Sequence, residues 1–125
     1  MSYRSVFRPG LFAGQTIVVT GAGSGIGRCT AHELAALGAH VVLVGRTAAK
    51  LEAVAAEIHT DGGEASLHAC DIRDEEAVKA TVAAVVAARG RIDGLVNNAG
   101  GQFPAELAGI SAKGWQAVIA NNLTG

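Results

Sequence analysis

The sequence contains no long uninterrupted apolar run, although 50% of its 125 residues are hydrophobic. A transmembrane helix needs about 18 consecutive apolar residues, so no membrane span is expected. Residues 1–12 also lack the basic stretch followed by an apolar stretch that is typical of a secretory leader. We therefore expect a soluble, cytoplasmic protein that folds as one domain over residues 1–125, with residues 1–12 as an N-terminal extension.

An excess of charge of either sign is also missing. The formal net charge is −1 and the isoelectric point is about 6.4. A protein that binds nucleic acid or an anionic membrane surface needs a basic field, which these values do not provide. We expect neither partner.

Potential metal ligands and disulfide partners are few. Cys29 and Cys70 are the two cysteines. Both lie inside apolar patterns, and in a cytosolic chain this predicts two buried free thiols rather than a disulfide. The histidines never fall three or four residues apart, the spacing that places two ligands on one helical face. No metal site is predicted from His32, His40, His59 and His68.

Short β-branched or apolar runs alternate with helical spacing along the chain. The run 15–20 is followed directly by Gly21 and predicts a buried strand. From residue 26 the apolar spacing becomes helical, and Gly38 is the predicted stop. The predicted strands cover 15–20, 40–44, 65–69 and 92–97, and the predicted helices cover 26–37, 47–59 and 74–90, with a last helix from 111 that is unfinished at Gly125.

The helices carry start signals and an apolar face. Thr47, Asp74 and Ser111 are the predicted N-caps. The first helix is predicted to bury one set of side chains and the second helix another. These sets are Ile26, Thr30, Leu34 and Leu37, followed by Leu51, Val54, Ala55 and Ile58.

This alternation predicts an α/β fold, with a doubly wound parallel sheet of the Rossmann type between two layers of helices. Right-handed crossovers predict the strand order 3-2-1-4 in the portion present. The order reverses between the first and fourth strands, so a ligand is expected there, at the carboxyl ends of the strands.

The turn after the first strand reads Thr20-Gly21-Ala22-Gly23-Ser24-Gly25-Ile26-Gly27 and leads directly into a helix. Glycine permits a tight turn, a close approach of a diphosphate to the backbone, and close packing of the helix on the strand. Free N–H groups at the helix start favour phosphate. The predicted diphosphate-binding residues are Gly21, Ser24, Gly25, Ile26 and Gly27.

The spacing Thr-Gly-x-x-x-Gly-Ile-Gly, together with Asn97-Asn98-Ala99-Gly100 after the fourth strand, resembles the short-chain dehydrogenase/reductase family. The resemblance covers the chain from Phe12 onward and the first half of a typical member. It implies a nicotinamide cofactor whose ribose lies beside Asn98, Ala99 and Gly100. For Asn97 we expect a structural role.

The end of the second strand predicts which nicotinamide cofactor is preferred. Val44-Gly45-Arg46-Thr47 has no carboxylate to bind the ribose 2′-hydroxyl of NAD, whereas Arg46 offers a planar cation for a 2′-phosphate. NADP(H) is therefore predicted over NAD(H). The alternative for Arg46 is a solvated surface arginine. Lys50, one helical turn further on, could add to the positive charge near the phosphate, but a solvated position is favoured for it.

Two further sites follow from the resemblance. Asp71 and Ile72 match the family position that contacts the adenine ring, and the alternative for Asp71 is a turn or capping carboxylate. Asn122 matches the active-site asparagine that helps to hold a water in the proton relay. The family's catalytic Ser and Tyr-x-x-x-Lys have no counterpart here, because Tyr3 is the single tyrosine.

Three segments resemble the branch of the family that contains peroxisomal trans-2-enoyl-CoA reductase and bacterial citronellol/citronellal dehydrogenases. They are Gly100–Phe103, Ser111–Trp115 and Asn122–Gly125. The resemblance implies a small lipophilic alcohol or carbonyl, or an enoyl thioester, as substrate, and a homo-oligomer, dimeric or tetrameric.

Three hypotheses remain open from the sequence. The chain is the cofactor-binding part of a hydride-transferring oxidoreductase, or a non-catalytic nucleotide-binding module, or a fragment that binds nothing because its sheet is incomplete and exposes an edge on the fourth strand.

Overall fold

The computed structural model describes residues 3–102 and 104–125. Phe103 lies outside the described residues. It ends the segment 100–103, which resembles one branch of the family. Strands and helices alternate as β1 Thr16–Thr20, α1 Gly25–Ala36, β2 His40–Gly45, α2 Ala48–Thr60, β3 Glu64–Ala69, α3 Glu75–Arg89, β4 Gly94–Val96 and α4 Ala112–Ile119. A 3₁₀ turn, Leu107–Gly109, precedes α4, and a π-helical turn, Ala120–Thr124, follows it.

The four strands form one parallel sheet in the order β3-β2-β1-β4. In the register, Thr16 lies opposite His40 on one side of β1, and Ile17 lies opposite Gly94 on the other. The predicted α/β class and the strand order 3-2-1-4 are therefore confirmed. All five residues of β1 are buried, as expected for the central strand of a sheet that is covered on both faces.

Alternate β1 side chains point to opposite faces of the sheet. Ile17 and Val19 pack with α1 and α2, whereas Val18 packs with Val85 of α3. The inward set predicted for α2 is buried as expected. The three layers place the loops after the strands at one edge of the sheet.

The predicted caps differ in how they act. The Asp74 side chain accepts a hydrogen bond from the Ala77 amide at 3.1 Å, and Ser111 accepts one from the Gly114 amide at 3.0 Å. Thr47 occupies the N-cap of α2, but its side chain makes no capping bond. Gly90 closes α3 in the left-handed conformation with φ of 77°.

The inward face predicted for α1 was wrong in part. Gly27, Ala31 and Ala35 are the buried residues of the helix, whereas the Ile26 side chain is 78% exposed. The small side chains let α1 approach the sheet closely. Each buried position therefore lies one residue after the predicted one. Leu37 is buried as predicted, Leu34 packs partly against the core, and Thr30 is only partly buried.

The same rotation of α1 decides the state of one cysteine. Cys29 lies on the outer side of the helix and is exposed, so its predicted burial was wrong. Cys70 is buried as predicted, and both cysteines are free thiols.

The fourth strand is shorter than the predicted 92–97, since only Gly94–Val96 pairs with β1. Leu95 of β4 is 58% exposed, and Val82 and Val86 of α3 are nearly half exposed. Within the described ranges no further strand pairs with the outer edge of β4. This side of the sheet is thus more open than the side covered by α1 and α2.

The described part of the N-terminal extension packs against α1 and the turn that follows α2. Tyr3 and Ser5 donate hydrogen bonds from their hydroxyl groups to the Glu33 carboxylate. The Tyr3 amide also donates to the Asp61 carboxylate at 3.1 Å. The Glu33 carboxylate is the main cause that raises the pKa of Tyr3 to about 12.

Across the residues described, none of the helices combines the length and the apolar content that a membrane crossing needs.

Candidate nucleotide-binding site

A cleft of about 400 Å³ opens at the carboxyl ends of the strands, where the strand order reverses between β1 and β4. Its walls come from the loops after all four strands and from the end of α4. Ten of the eleven residues predicted to contact the cofactor line it. These are Gly21, Ser24, Gly25, Ile26, Arg46, Asp71, Ile72, Asn98, Ala99 and Gly100.

The remaining predicted residues lie just outside this lining. Gly27 is buried and does not line the cleft. Asn122 does not line it either, whereas its neighbour Asn121 does. Gly45 and Cys70 also line the cleft and were not predicted. Both stand next to a predicted residue at the end of a strand, so their position in the pattern was the available signal.

The glycine-rich loop is shaped by two residues with positive φ. Gly21 has φ of 64°, and a Cβ there would lie 2.7 Å from Asn98 Nδ2. Gly25 has φ of 56° and faces open space, with no atom within 4 Å of a Cβ position. Helix α1 begins at Gly25, and the Ser24 carbonyl oxygen accepts a hydrogen bond from the Arg28 amide at 3.1 Å. The amides of Gly25, Ile26 and Gly27 are therefore left for other acceptors.

Gly27 fixes how closely α1 approaches the end of β1. A Cβ on Gly27 would lie 2.1 Å from the Gly21 carbonyl oxygen and 2.5 Å from Asn98 Nδ2. Any larger side chain would separate the helix start from the loop. Gly27 thus sets the position of the amides without lining the cleft itself.

Thr20 joins the glycine-rich loop to the loop after β4. Its hydroxyl oxygen accepts hydrogen bonds from the amides of Asn98, at 3.0 Å, and Ala99, at 2.9 Å, and its hydroxyl donates to Val96 O at 3.3 Å. The Asn98 side chain donates to the carbonyls of Thr20 and Gly21. We expected Asn97 to have the structural role, but Asn98 anchors the loop and Asn97 is exposed.

Arg46 follows β2 directly and is an exposed residue of the cleft wall. Among the residues that the structure describes, Arg46 makes no ion pair. Gly45 precedes it, and a Cβ there would lie 3.2 Å from Leu51 Cδ2. The end of β2 therefore presents a cation and no acidic side chain to the cleft.

Asp71 lies on the same wall and is clamped by Arg73, a residue that the sequence analysis did not single out. The Arg73 guanidinium donates to both carboxylate oxygens at 2.7 to 3.2 Å, and the Arg73 amide donates to Oδ1 at 3.0 Å. These bonds are the main cause that lowers the pKa of Asp71 to about 2. The only signal in the sequence was an arginine two positions after the aspartate.

Asn122 lies in the π-helical turn and holds the loop after β4 from the other side. Its side-chain nitrogen donates to Gly101 O at 2.6 Å and to Val118 O at 2.9 Å, and its side-chain oxygen accepts from the Gly101 amide at 3.2 Å. A Cβ on Gly100 would lie 2.5 Å from that oxygen. The Asn122 amide therefore couples the end of α4 to the cleft.

The residues of the cleft fit a nicotinamide dinucleotide. The loop between β1 and α1 offers backbone donors beside open space at Gly25, where a diphosphate has room. Arg46 supplies a positive charge at the end of β2, and small residues line the wall after β4. Within the described ranges there is no group of three or more His, Cys, Asp or Glu residues that would hold a metal ion.

The fold and the cleft define a class of protein, and comparison with known families agrees. The chain belongs to the short-chain dehydrogenase family, whose model matches residues 15–125.

Two solved structures show how closely the chain follows the family. It is 68% identical to the citronellol catabolism dehydrogenase AtuB of Pseudomonas aeruginosa PAO1, with a TM-score of 0.93 over 98% of this chain and 50% of that one. It is 49% identical to a metagenomic short-chain oxidoreductase in complex with NADP, with a TM-score of 0.84 over 90% of this chain and 52% of that one.

A curated relative is similar over most of this chain. The Bacillus subtilis (strain 168) protein named "Probable 2,4-dienoyl-CoA reductase" is 36% identical over 111 residues, which are 89% of this chain and 44% of that protein. The chain thus spans less than half the length of this relative and about half the length of the two solved structures.

Proposed function

We propose that the chain is the cofactor-binding half of an NADP(H)-dependent oxidoreductase. The observation that carries the proposal is the cation at the end of β2: Arg46 lines the cleft, and no carboxylate stands beside it on that strand end. A guanidinium binds a phosphate through two parallel, charge-assisted hydrogen bonds. The 2′-hydroxyl of NAD is neutral, so its hydrogen bond to a guanidinium is weaker. The solved relative in complex with NADP supports this choice.

Each group around the cleft has a proposed part. Amides of Ser24–Gly27 bind the diphosphate, with the dipole of α1 adding about 0.3–1 kcal/mol per charge. Arg46 binds the 2′-phosphate, and Asp71 and Ile72 contact the adenine. The wall of small residues, Asn98–Gly100, lies against the ribose. A bound nicotinamide would supply the hydride-transfer chemistry.

Asn122 is proposed to act on the proton side of this chemistry by helping to hold a water near the cleft. Its side-chain amide bonds to Gly101 and Val118, so Asn122 would contribute to holding that water by fixing the π-helical turn beside the cleft. Tyr3, the single tyrosine of the sequence, bonds to Glu33 and does not line the cleft, so it does not take the place of the family's catalytic tyrosine. Cofactor binding, rather than turnover, is therefore the property on which this chain is tested.

The substrate class is proposed from the relatives. A small lipophilic alcohol or carbonyl is favoured by the 68% identity to the citronellol catabolism dehydrogenase, and an enoyl thioester is the alternative favoured by the relative named as a dienoyl-CoA reductase. A cytoplasmic homo-oligomer, dimeric or tetrameric, is proposed with it.

The test is a titration of NADPH and NADH against the wild type and an Arg46→Asp variant. We expect the variant to lose about 10- to 100-fold in NADPH affinity, since a charge-assisted hydrogen bond contributes about 1.5–3 kcal/mol. Its NADH affinity should hold or rise, because the new carboxylate suits a 2′-hydroxyl. Arg8→Asp is the matched control: it changes the charge equally at an exposed residue that does not line the cleft. Equal affinity of the wild type for both cofactors would refute the proposal.

A further inference from the structure

Asp71, which lines the cleft together with Arg46, forms an ion pair with Arg73. Arg73 contacts both oxygens of the carboxylate, with its Nη2 at 2.7 Å from Oδ2 and its Nε at 3.0 Å from Oδ1. The Arg73 side chain remains 40% exposed and the Asp71 side chain 35% exposed. An ion pair this exposed adds little to stability, so any role of Arg73 here lies in the charge that it brings to the carboxylate.

The pair lies where charge matters for cofactor choice. Asp71 and Arg46 line the same cleft, and Arg46 acts on Asp71 as a further, weaker influence that lowers the pKa of its carboxyl group. A carboxylate without a partner at this wall would repel a 2′-phosphate and attract the Arg46 guanidinium away from it. Arg73 neutralises the carboxylate and bonds to both of its oxygens.

Hydrogen bonds fix Arg73 relative to Asp71. The Arg73 amide donates to Asp71 Oδ1 at 3.0 Å, and its Nε and Nη2 donate to the same carboxylate. The guanidinium is therefore directed at Asp71.

We infer that Arg73 is a positioning residue for cofactor specificity, which holds Asp71 in a neutral pair and so leaves Arg46 available for the 2′-phosphate. The inference rests on the proposed NADP(H) function and extends it to a residue outside the glycine-rich loop. Arg73 acts through Asp71 and does not itself bind the phosphate.

The experiment measures dissociation constants for NADPH and NADH by fluorescence or calorimetry in the natural protein, with adenosine 2′,5′-bisphosphate and AMP as fragments that differ in the 2′-phosphate. The variants are Arg73→Gln, Asp71→Asn and the double variant. Asparagine keeps an oxygen that accepts the Arg73 amide, so the loop retains that bond.

We expect Arg73→Gln to narrow the ratio of NADPH to NADH affinity by roughly fivefold or more, because an uncompensated carboxylate then faces the phosphate. Asp71→Asn should keep or widen the ratio. The double variant should return to the wild-type ratio, because both charges have gone. The fragments should follow the same order, which locates the effect at the 2′-phosphate.

An unchanged ratio in Arg73→Gln would overturn the inference, even if both affinities fell together. So would a double variant that stays as poor as Arg73→Gln, since Arg73 would then contact the phosphate directly. If Arg73→Gln does not fold, Arg73→Lys replaces it, because lysine keeps the charge and loses the two-pronged contact, and a smaller narrowing is expected. A wild type without NADPH preference would refute the proposed function itself.

Discussion

Replacing Gly27 by alanine sets two physical effects against each other. Gly27 lies in the first turn of α1, where alanine is favoured over glycine by about 0.8–1.0 kcal/mol in an ordinary helix interior. The added Cβ would lie 2.1 Å from the Gly21 carbonyl oxygen, a contact that real Cβ atoms essentially never make. The obstacle is backbone, so it has no flexible end that can move aside.

The steric effect should win. To reach an acceptable contact, the helix start and the loop must separate by about 1 Å, and such overpacking costs about 1–3 kcal/mol or more. Asn98 Nδ2, 2.5 Å from the Cβ position, must move as well, which weakens its bonds to the carbonyls of Thr20 and Gly21. We expect a net loss of about 1–2 kcal/mol in the free energy of unfolding.

The measurement is urea-induced unfolding followed by far-UV circular dichroism, with an NADPH titration on the folded variant. Gly109→Ala is the matched control, since nothing lies within 4 Å of its Cβ position and its φ is not positive. We expect that control to change stability by less than about 0.5 kcal/mol. If Gly27→Ala were as stable as the wild type and bound NADPH equally well, the close approach of α1 to Gly21 would be disproved.

Two further predictions concern the loop anchor and the thiols. Thr20→Val removes the acceptor of the Asn98 and Ala99 amides and should cost about 1–3 kcal/mol in urea unfolding and weaken NADPH binding. Thr30→Val, whose hydroxyl bonds only to the Ile26 carbonyl of its own helix, is the control, and an equal loss there would contradict the role of Thr20. In the native protein one thiol should react quickly with a thiol reagent, because Cys29 is exposed and Cys70 is buried. A Cys29→Ser variant should lose that fast phase, and its persistence would show that Cys70 is accessible.

Much of the fold followed from the sequence because its signals are local and repeated. The run at 15–20, the stop at Gly38 and the caps at Asp74 and Ser111 each report on a few neighbouring residues. Regular alternation then leaves few topologies, and the strand order 3-2-1-4 was confirmed. The glycine spacing and the loop 97–100 likewise predicted most of the cleft lining.

The errors came where packing between elements decides the outcome. Apolar spacing indicated Ile26 as an inward residue of α1, but close packing through Gly27, Ala31 and Ala35 turned the helix and exposed Ile26 and Cys29. Nothing in the sequence marks this rotation, because alanine and glycine fit either face.

Arg73 and the anchoring role of Asn98 were missed for a different reason. Their roles depend on residues brought close by the fold: Asn98 contacts Thr20, which is 78 residues away in the chain, and Arg73 bonds to Asp71, which lines the same cleft as Arg46. Spacing arguments reach only a few residues, whereas these contacts join separate loops at the edge of the sheet.

The Thr20 contacts also explain why two distant motifs are found together. Strand β4 has three residues and pairs only along Ile17–Val19 of β1, so the strand alone cannot orient residues 97–100 at the start of the loop that follows it. The Thr20 hydroxyl takes over that task by binding the amides of Asn98 and Ala99, while Asn98 binds back to Thr20 and Gly21. Both walls of the cleft are thus fixed to the end of one buried strand. A change at Thr20 should therefore disturb the diphosphate loop and the ribose wall together, even though Thr20 does not line the cleft.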